Sequence, residues 1–465
     1  MNKLTLGSLF SGSGGFELGA LMSGITPVWA SEIEPFCIMV TSRRLPDVKH
    51  YGDITKIDGG KIEPVNIITF GSPCQDLSVA GKRNGLDGSR SCLFHEAVRV
   101  IKEMRGATNG NNPRFILWEN VPGAFTSNKG EDFKRVIEEI ISIRQNIDVP
   151  QPSGWAHAGQ VMGNDYSVAW RTLDAQFWGV PQRRRRIFLV ADLDGPCAPK
   201  VLFESEGVSG YSKESFRAWQ DSTGRTAESS DITGSLNLYE NHGQDSRYTG
   251  PLDVSPAVLS TYGTGGNNQP LVTYGLPYAA MNSSLKFGFS YSENIEPTLL
   301  AKGPGAVAFP KKAYAMCSKG SNAMKSDNPL SGFYEASKSR CLSSTFSSPT
   351  CNQGGMVVVE EPYYIVRKIT PAECARLQGF PDWWADNLGI ENPADEDISF
   401  WKDVFETYRK SVTHGKKSKT ENQIRKWLKD PSSDTAEYKM WGNGVALPCV
   451  YFVLSGIKYF FEKNT

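Results

Sequence analysis

The 465-residue chain has no Cys-x-x-Cys pair, no net charge and no long unbroken apolar run. Its nine cysteines, at 37, 74, 92, 197, 317, 341, 351, 374 and 449, are odd in number and scattered. That argues against a disulfide framework and against a zinc site built from paired ligands, and it fits a reducing cytoplasm. Lys plus Arg and Asp plus Glu number 50 each, so the chain is not globally basic, and the balance alone announces neither nucleic acid nor membrane. The most apolar stretch, Val445 to Phe460, is too short for a membrane span and is interrupted by Pro448, Ser455, Gly456 and Lys458. The N-terminus has no basic segment followed by an apolar run, so neither a signal peptide nor a membrane helix is expected. What is present is an ordinary globular composition, 39% hydrophobic, 11% aromatic and 22% charged. At roughly 100–200 residues per domain, the length allows two or three domains.

From Leu4 to Asp192 short apolar runs alternate with helical patterns. Leu4–Phe10, Val28–Ala30, Ile67–Phe70, Phe115–Trp118 and Ile187–Ala191 read as buried strands. Glu131–Arg144 reads as a helix, with Phe133, Val136, Ile137, Ile140 and Ile141 at helical spacing. The alternation predicts an α/β fold, a mostly parallel sheet with helices on both faces. From 193 to about Glu361 the chain turns rich in Gly, Ser, Asn, Thr and Tyr, the texture of an irregular, β-rich domain. Three stretches there, Ser255–Val272, Glu296–Phe309 and Arg340–Val359, read as glycine-turn hairpins, although a Gly/Ser-rich region also produces such likeness by chance. At Thr370 a Thr-Pro-Ala-Glu run supplies an N-cap hydroxyl, a proline at the first helical position and a glutamate for a capping box. The charged segment up to Glu437, with Lys416, Lys417, Lys419, Arg425 and Lys426, reads as a solvated insertion whose lysines are also placed to meet phosphates.

Residues suited to chemistry cluster at the predicted strand ends. The first strand runs into Phe10-Ser11-Gly12-Ser13-Gly14-Gly15-Phe16-Glu17, a glycine-rich turn opening a helix where bare backbone can approach a ligand. Glu32, after the second strand, is placed to accept from ribose hydroxyls. The pair fits a nucleoside cofactor without separating NAD from S-adenosylmethionine. Glu17 stands where a dinucleotide motif would have its third glycine, which tilts against a dinucleotide. The strand Ile67–Phe70 ends in Gly71-Ser72-Pro73-Cys74-Gln75, which sets a thiol at the same edge. A lone cysteine is most often a small buried hydrophobe; a proline before Cys74 and a Gly/Ser/Arg-rich loop from Gly81 to Ser91 after it argue for exposure. Glu119 follows the strand at Phe115, and an apolar neighbourhood there would raise its pKa and keep a proton for general acid work. In Arg183-Arg184-Arg185-Arg186, strand alternation sends Arg184 and Arg186 to one face and Arg183 and Arg185 to the other.

The ordered set resembles the bacterial and phage DNA (cytosine-5)-methyltransferases. On that resemblance Phe10, Gly12, Gly14 and Gly15, Glu32, Asp53 and Ile54, Pro73, and Asn443 and Val445 are the S-adenosylmethionine contacts. Cys74 is the nucleophile, Glu119 the acid at ring nitrogen 3, and Arg184 with Arg186 the holder of the base oxygen at position 2. The terminal Gly-Asn-x-Val motif carries Gly444 where serine is commoner, a substitution expected to be without consequence. The resemblance further implies a flipped cytosine, no metal, double-stranded DNA as partner, a monomer and a cytoplasmic setting. Its DNA contacts would be Gln75, Ser78, Lys82, Arg90, Gln182 and Thr298. The expected architecture is a Rossmann-like methyltransferase sheet with a smaller target-recognition domain. Its divisions are a catalytic domain over 1–192, recognition over 193–383, a charged helical insertion or hinge over 384–437, and a segment over 438–465 returning to the catalytic domain.

Two rival readings use the same motifs. An NAD-linked oxidoreductase explains the glycine turn and Glu32 but gives no task to Cys74, Glu119 and the arginines together. A transfer-RNA cytosine methyltransferase shares the catalytic set but has a compact recognition domain, against which the long variable region here favours DNA.

Overall fold

The computed structural model describes residues 3–71, 92–203, 237–241, 248–262, 269–276, 313–316, 333–336, 356–357, 363–415 and 417–463. The chain forms two compact units, one of Met1–Ala227, Val254–Asn268 and Thr370–Thr465, the other of Glu228–Asp253 and Gln269–Ile369.

The first unit is built on eight strands: β1 Thr5–Leu9, β2 Thr26–Ser31, β3 Lys49–His50, β4 Ile67–Phe70, β5 Phe115–Asn120, β6 Ala158–Met162, β7 Ser167–Asp174 and β8 Arg185–Asp192. They lie in the order β3-β2-β1-β4-β5-β8-β7-β6. Every residue of β4 and β5 is buried, which is why these strands read as continuous apolar runs instead of alternating ones. The sheet is mixed where a mostly parallel one was expected. From β3 to β5 neighbours run parallel, whereas β8, β7 and β6 are added antiparallel. Two of these strands escape the apolar signal for visible reasons: β6 is a half-exposed edge strand, and β7 carries Ser167, Arg171, Thr172 and Asp174.

Helices α1 Gly15–Met22, α2 Pro35–Arg44, α3 Cys92–Ala107, α4 Glu131–Ile141 and α5 Cys197–Phe203 flank the sheet unit's strands in sequence. The predicted helix at Glu131 forms but stops at Ile141, short of Arg144. At Thr370 the capping box closes as expected: the Thr370 hydroxyl accepts from the Glu373 N–H, Glu373 accepts from the Thr370 N–H at 2.8 Å, and α6 Pro371–Gln378 follows. Helices α7 Asp395–Tyr408, α8 Glu421–Lys429, α9 Asp434–Asn443 and α10 Leu447–Lys463 complete the unit. The charged segment is more than a solvated insertion. Ile398 and Trp401 on α7 and Ile424 and Leu428 on α8 are buried, three or four residues apart on one face of each helix, and give it a small core of its own. The stretch Asp434–Lys463 is long and apolar enough by composition to cross a membrane, but 72% of its apolar window is buried in the fold. That burial comes from α10 lying against α1 and α5. Gly19 permits the close approach, because a Cβ there would stand 2.7 Å from Val450.

The second unit contains a four-stranded antiparallel sheet ordered β10-β9-β11-β15, from Tyr248–Leu252, Asn237–Asn241, Leu271–Leu276 and Tyr363–Lys368. A three-stranded sheet joins β12 Ala313–Met316 to β13 Phe333–Ala336 and β14 Met356–Val357. Ser255–Val272 is not a hairpin. Ser255 bridges to Gln182, and Val272 pairs with Leu238 and Arg367, because each end finds a longer-range partner. Glu296–Phe309 lies outside the described residues, as does most of Arg340–Val359.

Gly7 in β1 passes beneath the fully buried indole of Trp29, whose ring atoms would stand 2.2–2.4 Å from a Cβ there. Gly7→Ala is therefore expected to cost about 3 kcal/mol in urea unfolding, and Trp29→Leu in the same chain to recover part of that loss. Strictly additive losses would show that the ring is not what the methyl meets.

Candidate active site

Parallel strands present their carboxyl ends to one edge, and β8, running antiparallel to β5, brings its amino end to the same edge. Along that edge stand, in strand order, Asp53 after β3, Glu32 after β2, the turn Phe10–Gly15 after β1, Gly71 after β4, Glu119 near the end of β5, and Arg184 and Arg186 at the start of β8. Residues over 170 positions apart in sequence are thereby gathered at one edge.

At the turn, Phe10, Gly12 and Gly14 all take positive φ, a conformation that is cheap only for the glycines. Glu32 organises the turn from below. Its Oε2 accepts from the Gly12 N–H at 2.7 Å, and its Oε1 accepts from the N–H groups of Ile33 and Glu34. Burial raises its pKa, and those three donors oppose the rise. Asp53 caps the short turn at Ile54 by accepting from Thr55. Gly12 and Gly52 both face open space, since a Cβ on Gly12 would meet nothing nearer than the Phe10 carbonyl at 3.9 Å, and one on Gly52 nothing within 4 Å. The C-terminal motif closes the other side: Val445 packs on Gly15, where a Cβ would stand 2.5 Å from it, while Asn443 is exposed. Gly444 is not an indifferent position. A Cβ there would stand 2.7 Å from the Ser13 hydroxyl, so a serine at 444 would require Ser13 to turn away.

Glu119 is buried, and its Oε1 lies 3.2 Å from Arg186 Nε. Burial pushes its pKa up, against the pull of Arg186 and Arg184. Gly71 approaches the same carboxyl closely, a Cβ on it standing 3.4 Å from Glu119 Oε2, so the chain just before Cys74 leaves β4 beside Glu119. Pro73, Cys74, Gln75, Ser78, Lys82, Arg90 and Thr298 lie outside the described residues.

The arginine run alternates as read: Arg183 and Arg185 are exposed, Arg184 is buried and Arg186 half-buried. Arg184 and Arg186 nevertheless have different surroundings. The Arg184 guanidinium donates to the backbone carbonyls of Val258 at 3.3 Å, Gly442 at 3.2 Å and Gly444. Gln182, set against DNA by the resemblance, is fully buried and donates to the Leu377 carbonyl at 2.8 Å, so it faces the fold and not a DNA surface. Sequence reasoning missed Glu17 as a group of interest. It is fully buried in the first turn of α1 beside the Ser8 and Ser11 hydroxyls, and neither carboxyl oxygen has a well-formed hydrogen bond among the described residues. The only signal was its replacement of the third glycine.

The parallel strands with their helices and the antiparallel extension through β8, β7 and β6 make a Rossmann-like α/β methyltransferase fold. The family model for C-5 cytosine-specific DNA methylase matches residues 4–148 and 158–389, more than half of the chain. The chain belongs to the C-5 cytosine-specific DNA methylase family. Among similar proteins is the DNA N-6-adenine-methyltransferase of Escherichia phage P1, 29% identical over 426 residues, covering 82% of this chain and 53% of that protein. The Type II methyltransferase M2.BsuMI of Bacillus subtilis is 36% identical over 186 residues, 40% of this chain and 41% of that protein. The orphan methyltransferase M.SPRI of Bacillus phage SPR is 25% identical over 432 residues, 82% of this chain and 90% of that protein. The chain thus spans about half the length, or less, of the first two curated relatives and most of the third.

Burial lifts the Glu17 carboxyl from 4.5 to about 7, so the folded protein holds a proton that the unfolded chain releases. Stability is therefore expected to fall as pH rises from 4.5 to 7 and to level off above, by about 3 kcal/mol for this group. Glu17→Gln, which cannot ionise, should gain that much on wild type across the window in denaturant unfolding at stepped pH. Parallel curves for the two proteins would contradict it.

Proposed function

We propose that this protein transfers a methyl group from S-adenosylmethionine to carbon 5 of a cytosine flipped out of double-stranded DNA. The observation that carries the reading is the meeting, at one sheet edge, of the glycine turn held by Glu32, the buried Glu119–Arg186 pair and the strand that leads into Pro73-Cys74-Gln75. The room left at Gly12 and at Gly52, on the edge that also carries Glu32 and Asp53, supports a nucleoside with an amino-acid tail as the ligand. When bound, S-adenosylmethionine supplies an electrophilic methyl group.

Carbon 5 of cytosine is a weak nucleophile until something adds at carbon 6, and the Cys74 thiolate is the group proposed to add. Glu119, its pKa raised by burial, is the group proposed to give a proton to ring nitrogen 3 as charge moves there. Arg186, beside Glu119, is the cation in position to hold the base oxygen at position 2. Arg184 is assigned to the scaffold of the site, since its two terminal nitrogens donate to three backbone carbonyls. Loss of the carbon 5 proton and departure of the thiolate then release the product. The relative from phage P1 is named for adenine, but an exocyclic amine is itself the nucleophile and needs no thiol, so Pro73-Cys74-Gln75 favours cytosine. Target recognition is assigned to the region 193–383, which contains the whole of the second unit. The DNA-facing loop is assigned to Gly81–Ser91.

Bisulfite sequencing of DNA from cells expressing the protein is expected to reveal one or more fully protected cytosine motifs. Duplex DNA with 5-fluorocytosine at such a motif should form a denaturation-resistant adduct in the presence of S-adenosylmethionine, and Cys74→Ala should form none. An adduct that survives Cys74→Ala, or methyl transfer found only on adenine or on RNA, would overturn the assignment. Arg186→Met should lower kcat about 100-fold with the unfolding midpoint retained, whereas Arg184→Met should lower the midpoint itself.

A further inference from the structure

The helical insert forms a cavity that the methyl-transfer chemistry does not use. It holds about 450 Å³, within the roughly 300–1,000 Å³ range of small-ligand sites. Phe405 and Tyr408 of α7 and Trp427 of α8 line it, all half-buried, with Pro35 at the start of α2 and Ser433 at the start of α9. Phe405 and Trp427 pack edge to face, ring centroids 4.9 Å apart, and Trp427 leans on the buried Trp401 at 5.0 Å, so these faces are held rigid.

The rim is cationic. After Tyr408 the helix widens into a π turn, Arg409–Thr413, and ends at His414 with φ 50, a departure from α geometry that recurs at functional sites. Arg409 grips Glu406 through two hydrogen bonds and also donates to the Gly415 carbonyl, which folds the following loop back over α7. Lys417 and Lys419 on that loop line the cavity, with Lys419 Nζ 4.8 Å above the Phe405 ring. Among the described residues neither lysine has a carboxylate within ion-pair distance. Among the described residues two acids line the cavity: Glu34, which is held by Lys439, and Asp430, which is left to offset the lysines.

Phe405 and Tyr408 already carry Lys419 and Lys439 over their rings, so the ring left for stacking is Trp427; with Lys417 and Lys419 beside it, it matches a planar base joined to a phosphate, the indole stacking on the base and the lysines meeting the anion. We propose that this cavity is a nucleotide-binding site separate from the methyl-transfer edge. It would take either a free nucleoside monophosphate or one unpaired nucleotide of a DNA strand. Such a site would be independent of the proposed methyl transfer.

The test is calorimetric titration of the full-length protein with AMP, adenosine and inorganic phosphate, with and without saturating S-adenosylhomocysteine. AMP is expected to bind at least about tenfold more tightly than either fragment, and to keep its affinity when S-adenosylhomocysteine is present. Lys417→Glu with Lys419→Glu, two exposed positions that leave the core intact, should weaken AMP about tenfold. A short single-stranded oligodeoxynucleotide that displaces AMP, and is weakened by the same reversal, would identify the ligand as a DNA nucleotide. AMP binding with no displacement would identify a free nucleotide. AMP no tighter than phosphate, binding lost on addition of S-adenosylhomocysteine, or indifference of both ligands to the charge reversal would overturn the proposal.

Discussion

A guanidinium shut inside a protein cannot shed its proton, so it must be surrounded by acceptors. The terminal nitrogens of Arg184 find three backbone carbonyls, those of Val258, Gly442 and Gly444, which lie 74, 258 and 260 residues further along the chain, while its Nε has no partner among the described residues. These bonds thus tie Val258 and the C-terminal Gly-Asn-Gly-Val run to the start of β8. Gln182 and Gln378 extend the same fastening, donating to the carbonyls of Leu377 and Trp441, which secures α6 and the end of α9. Because β8 runs antiparallel to β5, the fastening sits at the edge where β5 delivers Glu119. Once Gly444 is held there, Val445 reaches Gly15 and the glycine turn is closed from the side opposite Glu32. Removing the charge would leave three orphaned carbonyls in two segments at once, and each buried unpaired carbonyl costs roughly 1–3 kcal/mol.

How much of this was legible in the sequence follows from which physical signals are local. The strands β1, β4 and β5 and the capping box at Thr370 were readable, because full burial produces unbroken apolar runs and a cap is complete within four residues. The alternation of the four arginines was readable for the same reason, since side-chain direction along a strand depends on neighbouring residues only. Strand direction is not local. Nothing in Ile187–Ala191 reveals that it pairs antiparallel with β5, and it is that direction which brings the arginines to the ligand edge. The difference between Arg184 and Arg186 was equally hidden, because it rests on carbonyls that only the folded chain brings near. Glu17 registered only as a missing glycine. Its burial becomes visible once α1 is covered by α10, whose sequence lies over 400 residues away.

The same division between the two arginines bears on the proposed acid. Two free guanidinium groups facing one carboxyl in a low-dielectric setting would favour the carboxylate and leave no proton to give. At this edge one of the two charges is already answered by carbonyl dipoles, leaving Arg186 as the cation in direct contact with Glu119, and it is itself half-buried. Desolvation then outweighs the attraction, and the Glu119 pKa moves up despite both neighbours. The fastening that closes the cofactor side and the proton that Glu119 is proposed to donate are in this sense consequences of one placement: Arg184 turned inward, and Arg186, two residues on along the same face, turned to the acid.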